Sequence, residues 1–159
     1  MHVNGNATTA LMHLLTWHEL QRLRVTREWD IKKMKAEQTV IVNFAHHQNP
    51  KEGKFDFYIE TPKKTIGFEV LTRPSKGKML RKISYGNEVD EFVFVIPHDA
   101  LLPYQRTEKN HGFKVRSKAL PKEFGRKGMY VWLIDLEHQQ IVKRAPFHKI
   151  YYISDTKNA

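Results

Sequence analysis

Asp56 and Glu69 are the residues whose types and spacing suit chemistry. Phe55, Phe57 and Ile59 alternate with Asp56, Tyr58 and Glu60, and Ile66, Phe68 and Val70 alternate with Gly67, Glu69 and Leu71. Period-two alternation reads as two strands, with each carboxylate opposite its apolar neighbours. Thr61-Pro62-Lys63-Lys64 reads as a tight turn between them. The runs then pair as a hairpin, and both carboxylates project from one sheet face. Two oxygen ligands so placed can bind Mg²⁺ (or Mn²⁺), which keeps several waters and takes the rest of its shell from a substrate phosphate. Such an ion activates a water and neutralises charge on the phosphate. Glu69, between Phe68 and Val70, has the stronger case, because a carboxylate in apolar surroundings is costly unless ligated or paired. Asp56 taken alone reads as a solvent-facing strand residue.

The elements that must position this pair follow from the same patterning. Thr8 to Ala36 is helical in character, with Leu11, Leu14, Leu15, Trp17, Leu20 and Leu23 forming an apolar stripe. Thr16 with Glu19 has capping-box spacing, and Val25-Thr26 suggests a break before a second helix carrying Trp29, Ile31 and Met34. Glu37 to Phe44 reads as a strand and Ala45 to Gly53 as a polar turn region. Pro74-Ser75 stops the Glu69 strand and caps a helix to Gly86. Met79, Leu80 and Ile83 form its buried stripe, with Lys78, Arg81, Lys82 and Tyr85 on another face. Phe92 to Ile96 is apolar throughout, as a strand covered on both sides should be. Met129 to Leu136, Ile141 to Ala145 and Ile150 to Ile153 read as further strands. The expected fold is one α+β domain spanning 1–159: a mixed sheet with an αβββαβ core and a C-terminal β extension.

Charge is the strongest global signal. The 159 residues carry 27 Lys and Arg against 17 Asp and Glu, a net charge of +10. Such a balance favours a polyanionic partner, whose phosphates are neutralised with release of counterions. The excess concentrates between Arg106 and Lys127, where Arg106, Lys109, Lys114, Arg116, Lys118, Lys122, Arg126 and Lys127 face only Glu108 and Glu123. With Gly112, Pro121 and Gly125 inside it, this segment reads as a long basic loop. Cysteine is absent, which excludes disulfides, zinc-thiolate sites and cysteine nucleophiles. No apolar run approaches a membrane span, and Met1 to Ala7 lacks a secretory pattern, so an intracellular location and no membrane partner are expected.

The order αβββαβ, with Asp56 on the second strand (Phe55-Asp56-Phe57) and Glu69 late in the third (Gly67-Phe68-Glu69-Val70-Leu71), resembles the core of the PD-(D/E)XK nuclease superfamily. The resemblance covers roughly the first two thirds of the chain and rests on element order as much as on motif. It implies a metal-dependent hydrolase that cuts a DNA phosphodiester, in endonuclease or exonuclease mode, of small viral or mobile-element type. Asp56 and Glu69 would be Mg²⁺ or Mn²⁺ ligands, joined by Glu28 from the first helix. The family's lysine, two residues after the Glu, falls on Leu71, and Phe55 stands where a Pro is usual. Lys78 or Lys82, on the following helix, would then orient the water or stabilise charge. Glu88, at the end of that helix, is a further candidate ligand. Lys76, Arg81, Arg106, Lys114, Arg116, Lys118, Arg126 and Lys127 would hold the DNA backbone, with a homodimer as one arrangement.

A competing reading is a non-catalytic DNA-binding protein, either a nuclease fold without activity or a winged helix. Leu15 to Arg27 has the flavour of a helix-turn-helix, with the strands after Glu37 as the wing. His46-His47 suits acid/base work, but adjacent histidines on an extended chain point different ways. His18-Glu19 lacks the second His of a zincin motif, and no P-loop or dinucleotide fingerprint occurs.

Overall fold

The computed structural model describes residues 5–42, 51–106 and 119–154. The first element is one long helix, α1 (Gly5–Val25). Met12, Thr16, Leu20 and Leu23, spaced four, four and three apart, are its fully buried face. Thr16 is therefore mid-helix rather than a cap: its hydroxyl donates to the Met12 carbonyl, 2.7 Å away, which satisfies it inside the packing. At the far end the Thr26 hydroxyl donates to the Arg22 carbonyl at 2.8 Å, and Arg27 turns the chain in the left-handed region (φ 61°).

No second helix follows. Trp29 packs edge-on against Trp132, Ile31 is buried, and the Lys32 amide donates to the Glu60 carbonyl, so the chain enters the sheet at once. Strand β1 (Lys33–Val42) thus begins four residues earlier than its alternation suggests. Sheet hydrogen bonds to the next strand outweigh the local helical spacing of Trp29, Ile31 and Met34. This also removes the recognition helix that the helix-turn-helix reading needs.

Strands β2 (Lys51–Glu60), β3 (Thr65–Val70), β4 (Glu91–Pro97), β5 (Met129–Asp135) and β6 (Gln140–Pro146) complete a six-stranded sheet of order β1-β2-β3-β4-β5-β6. The first three form an antiparallel meander; β3, β4 and β5 run parallel, and β6 returns antiparallel. Helix α2 (Lys76–Lys82) and a 3₁₀ turn (Ile83–Glu88) make the crossover from β3 to β4. Ser75 caps α2, its hydroxyl accepting from the Lys78 amide at 3.1 Å. The architecture is α+β, with the expected αβββαβ order followed by β5 and β6. The expected strand at Ile150–Ile153 is instead a one-turn helix, α3 (Phe147–Ile150), followed by single bridges from Tyr151 to Gln105 and from Ile153 to Leu120.

The sheet separates two cores. On one side α1 places Met12, Leu20 and Leu23 over Phe57, Ile59, Ile66, Phe68, Val93, Val95 and Trp132. On the other, Met79 and Ile83 join Phe92, Phe94, Phe124, Val131, Phe147 and Tyr151. β4 contributes Phe92, Phe94 and Ile96 to one and Val93 and Val95 to the other, as a strand covered on both faces must.

One strand breaks the alternation. Phe57 and Ile59 lie in the α1-side core, but Phe55 lies in the α2-side core, stacked on Tyr58 and edge-on to Tyr85 and Phe92. The expectation that Phe55, Phe57 and Ile59 share a face therefore holds only from Phe57 onward. The neighbouring strand is irregular at the facing position: Glu37, opposite Asp56, has a φ of 56°, while the register is the same on either side (Ala36↔Phe57 and Gln38↔Phe55). Gly67 makes room for the displaced ring, since a Cβ there would stand 2.5 Å from Phe55. Gly67→Ala is accordingly expected to destabilise the protein by about 1–3 kcal/mol through overpacking. Urea unfolding measures this, and an unchanged midpoint would show that Phe55 is not held where it lies.

Candidate carboxylate site

Asp56 stands where β2 parts from β3. The β2–β3 ladder runs from Glu60↔Thr65 to Phe57↔Phe68 and stops, while β2 continues to Lys51 paired with β1 alone. Past the last rung the Val70 amide donates to Asp56 Oδ2 at 2.7 Å, so a side chain takes the place of a backbone acceptor. Glu69 precedes Val70 and pairs with Phe94 in the parallel ladder. Ile66, Phe68 and Val70 belong to the α1-side core, so Glu69 faces α2, as expected from alternation. Only 5% of Glu69 is exposed.

The two carboxyl groups lie close enough to shift each other's ionisation, and a proton held on one of them relieves the repulsion. That proton belongs mainly to Glu69. Burial, then the hydrogen bond and charge of Asp56, push the Glu69 carboxyl well above the usual carboxylate range, and Lys82 offsets this only in part. For Asp56, burial alone acts upward, but hydrogen bonds with His13, Glu69 and the Val70 amide outweigh it and hold the group below its ordinary value. The pair titrates as a unit.

Two further groups meet the pair. Lys82 Nζ, from the last turn of α2, stands 3.3 Å from Glu69 Oε2 and 4.8 Å from the centre of the Tyr85 ring. Burial opposes its charge, but Glu69 and Tyr85 overcome this and raise its pKa, so it remains an ammonium. From α1, His13 Nε2 lies 3.5 Å from Asp56 Oδ1, and Nδ1 lies 2.8 Å from the Thr9 carbonyl oxygen. No motif marks His13 in the sequence. It sits between Met12 and Leu14 in a helical stripe, and only the docking of α1 on the sheet brings it to Asp56.

The remaining candidates lie elsewhere. Lys78 donates to the Arg73 carbonyl at 3.1 Å, so of the two helix lysines only Lys82 reaches the pair. Glu28 pairs with Arg22 and Arg144 near the Thr61–Lys64 turn, at the opposite end of β2 and β3. Glu88 is exposed two residues before Asp90, whose amide donates to the Thr65 carbonyl at the start of β3, the end remote from Glu69. Arg126 is used internally, donating to the Asn87 side chain at 2.9 Å and the Ile83 carbonyl at 2.7 Å. Lys127 adjoins Gly128, whose carbonyl accepts from Phe92 at that same far end. Lys76 and Arg81 are exposed on α2, and Arg106 lies over the Tyr152 ring. Lys114, Arg116 and Lys118, with His46 and His47, fall outside the described residues.

The donor set can be tested against a divalent ion. Among the described residues no group of three or more His, Asp or Glu side chains is arranged to hold a metal. The protein would supply the two carboxylates, leaving other positions to water and substrate, which suits Mg²⁺ or Mn²⁺. Glu69 Oε2 is buried without a hydrogen-bond partner, Lys82 standing near it outside bonding geometry. An oxygen left so in a buried site fits a ligand that replaces the shared proton.

No protein-family description, curated protein or solved structure matches this chain. Among the described residues no helix is long and apolar enough to cross a membrane.

The shared proton has a measurable consequence in metal-free protein. A carboxyl whose folded pKa is raised favours the folded state at low pH. Its contribution falls as pH rises from the ordinary glutamate value of 4.5 through the raised folded value. Asp56, held below 3.8, acts oppositely, losing its contribution only as pH falls through that acid range. With chelator present, wild type should therefore lose stability between pH 5 and 8 by up to about 1.4 kcal/mol per pH unit. Glu69→Gln should remove most of that slope. Parallel denaturation profiles for the two proteins would refute the shared proton.

Proposed function

We propose that the protein is a metal-dependent DNA nuclease that hydrolyses phosphodiester bonds at Asp56 and Glu69. The observation that carries this reading is the meeting of two carboxyls at the β2–β3 fork with an ammonium 3.3 Å from one of them. The element order, the resemblance of Phe55-Asp56-Phe57 and Gly67-Phe68-Glu69-Val70-Leu71 to a nuclease core, and the +10 net charge support it.

A dication bound by Asp56 and Glu69 would supply Lewis acidity, lowering the pKa of a water and drawing charge off the phosphate. Binding needs both carboxyls ionised, so the shared proton must leave to solvent. Lys82 stays protonated and is unsuited to act as a base. Its part is to hold negative charge on the attacked phosphate as that charge grows. Water adds to phosphorus, the P–O bond to the leaving strand breaks, and the leaving oxygen takes up a proton. The exposed Lys76 and Arg81 beside Lys82 extend positive charge from the site along α2, where a phosphate backbone would lie.

The test is incubation of linear duplex DNA with wild type, Glu69→Ala and Lys82→Met in Mg²⁺ or Mn²⁺. Wild type should cleave, and Glu69→Ala should not. Lys82→Met should lose about 100-fold in rate, with DNA binding little changed. Salt-sensitive binding with no cleavage under either metal would leave a DNA-binding module and end the nuclease reading. Failure to bind DNA at low salt would end both.

A further inference from the structure

We infer that His13 is a positioning residue of the carboxylate site, fixing Asp56 from the α1 side of the sheet. The inference rests on the metal-site reading above and extends it to a helix from which the expected contribution was acidic. The imidazole is held at three points. Its Nδ1 lies 2.8 Å from the Thr9 carbonyl oxygen, which only accepts, so Nδ1 carries a hydrogen. Its ring stands edge-on to Phe57 with centroids 5.7 Å apart. Its Nε2 faces Asp56 Oδ1 at 3.5 Å.

The support continues beyond the ring. The Thr9 hydroxyl lies 2.8 Å from that of Thr72, tying the first turns of α1 to the loop that leaves β3 just after Glu69 and Val70. Asp56 is thus approached on both oxygens, Oδ2 by the Val70 amide at 2.7 Å and Oδ1 by His13. One contact alone would leave the carboxyl free to pivot about it; two contacts from different elements define its plane. A ligand pre-set in this way does not have to be ordered when an ion binds. Because Nδ1 carries a hydrogen toward Thr9, Nε2 donates to Asp56 in the imidazolium form, so the contribution of His13 differs from that of an added carboxylate ligand.

The experiment is Mn²⁺ binding by calorimetry to wild type, Asp56→Asn, His13→Phe and His13→Gln. Phenylalanine keeps the ring against Phe57 and loses both polar contacts; glutamine can still donate to Asp56. Wild type should bind and Asp56→Asn should not. His13→Phe should bind about 10- to 100-fold more weakly, and His13→Gln should recover much of the difference. Equal affinity in wild type and His13→Phe would overturn the inference while leaving the metal site standing. Equal weakness in His13→Phe and His13→Gln would also overturn it, since the donor would then be immaterial. Should His13→Phe fail to fold, near-wild-type affinity in His13→Gln supports the inference and a large loss refutes it. Wild type binding no better than Asp56→Asn would end the metal reading and the inference together.

Discussion

Glu69 is a carboxyl buried against a second carboxyl, and its neutralisation constrains everything near it. Two ionised carboxylates in contact inside a protein repel strongly, and each loses its hydration as well. The structure places Lys82 beside Glu69, and the Val70 amide and His13 on Asp56, while burial and the Asp56 charge raise the Glu69 carboxyl and favour its protonated form. These partners come from α1, β2, β3 and α2, so the polar centre is also where four elements are aligned. An apolar pair in the same place would pack with less cost. Polar groups that retain such a cost are common at functional sites, where the displaced pKa values are part of the chemistry.

The fork that exposes the pair is built from irregularities rather than from regular strand geometry. β2 passes its side chains from one core to the other between Phe55 and Phe57, with Asp56 at the crossing. Opposite Asp56, Glu37 on β1 takes a left-handed φ of 56° with no change of register, and Gly67 leaves the space that the Phe55 ring fills. In a regular hairpin, residue 55 would continue the ladder to β3, and the Val70 amide would find a backbone acceptor. Because the ladder stops at Phe57↔Phe68, that amide is available to Asp56 instead. The carboxylates meet because the alternation fails at Asp56, while at Glu69 it holds.

This explains which parts were legible in the residues. The meander, the capped helix after Pro74-Ser75 and the doubly covered β4 follow from period and turn chemistry, which are local. Glu69 was legible for the same reason: its apolar neighbours state its burial. The single helix α1 and the early start of β1 were not, because Trp29, Ile31 and Met34 keep a helical spacing while their hydrogen-bond partners lie across the sheet at Glu60 and beyond. Ile150 to Ile153 looks like a strand by composition but, among the described residues, forms two single bridges after a one-turn helix. His13 carried no readable signal, since its role depends on the docking of α1 alone. The division between Lys78 and Lys82 was equally hidden: both lie on one helical surface, and the angle at which α2 crosses β3 decides which one arrives.

That crossing also accounts for Leu71. It follows Glu69 by two residues, just past the end of β3, and packs against the α2-side core, while its amide donates to the Val95 carbonyl at 2.9 Å. A lysine there would have to carry its charge out of apolar packing. Lys82 reaches Glu69 from α2, with its ammonium over the Tyr85 ring. The cation is thereby moved from the strand that holds Glu69 to a separate element. Its distance to Glu69 depends on the docking of α2, which rests on Met79 and Ile83, the buried residues that flank Lys82 in the turn. A lysine on β3 would keep its place whenever the sheet is formed. Lys82 keeps its place only when the helix is seated, so completion of the site is coupled to the packing of α2 and the 3₁₀ turn that follows it.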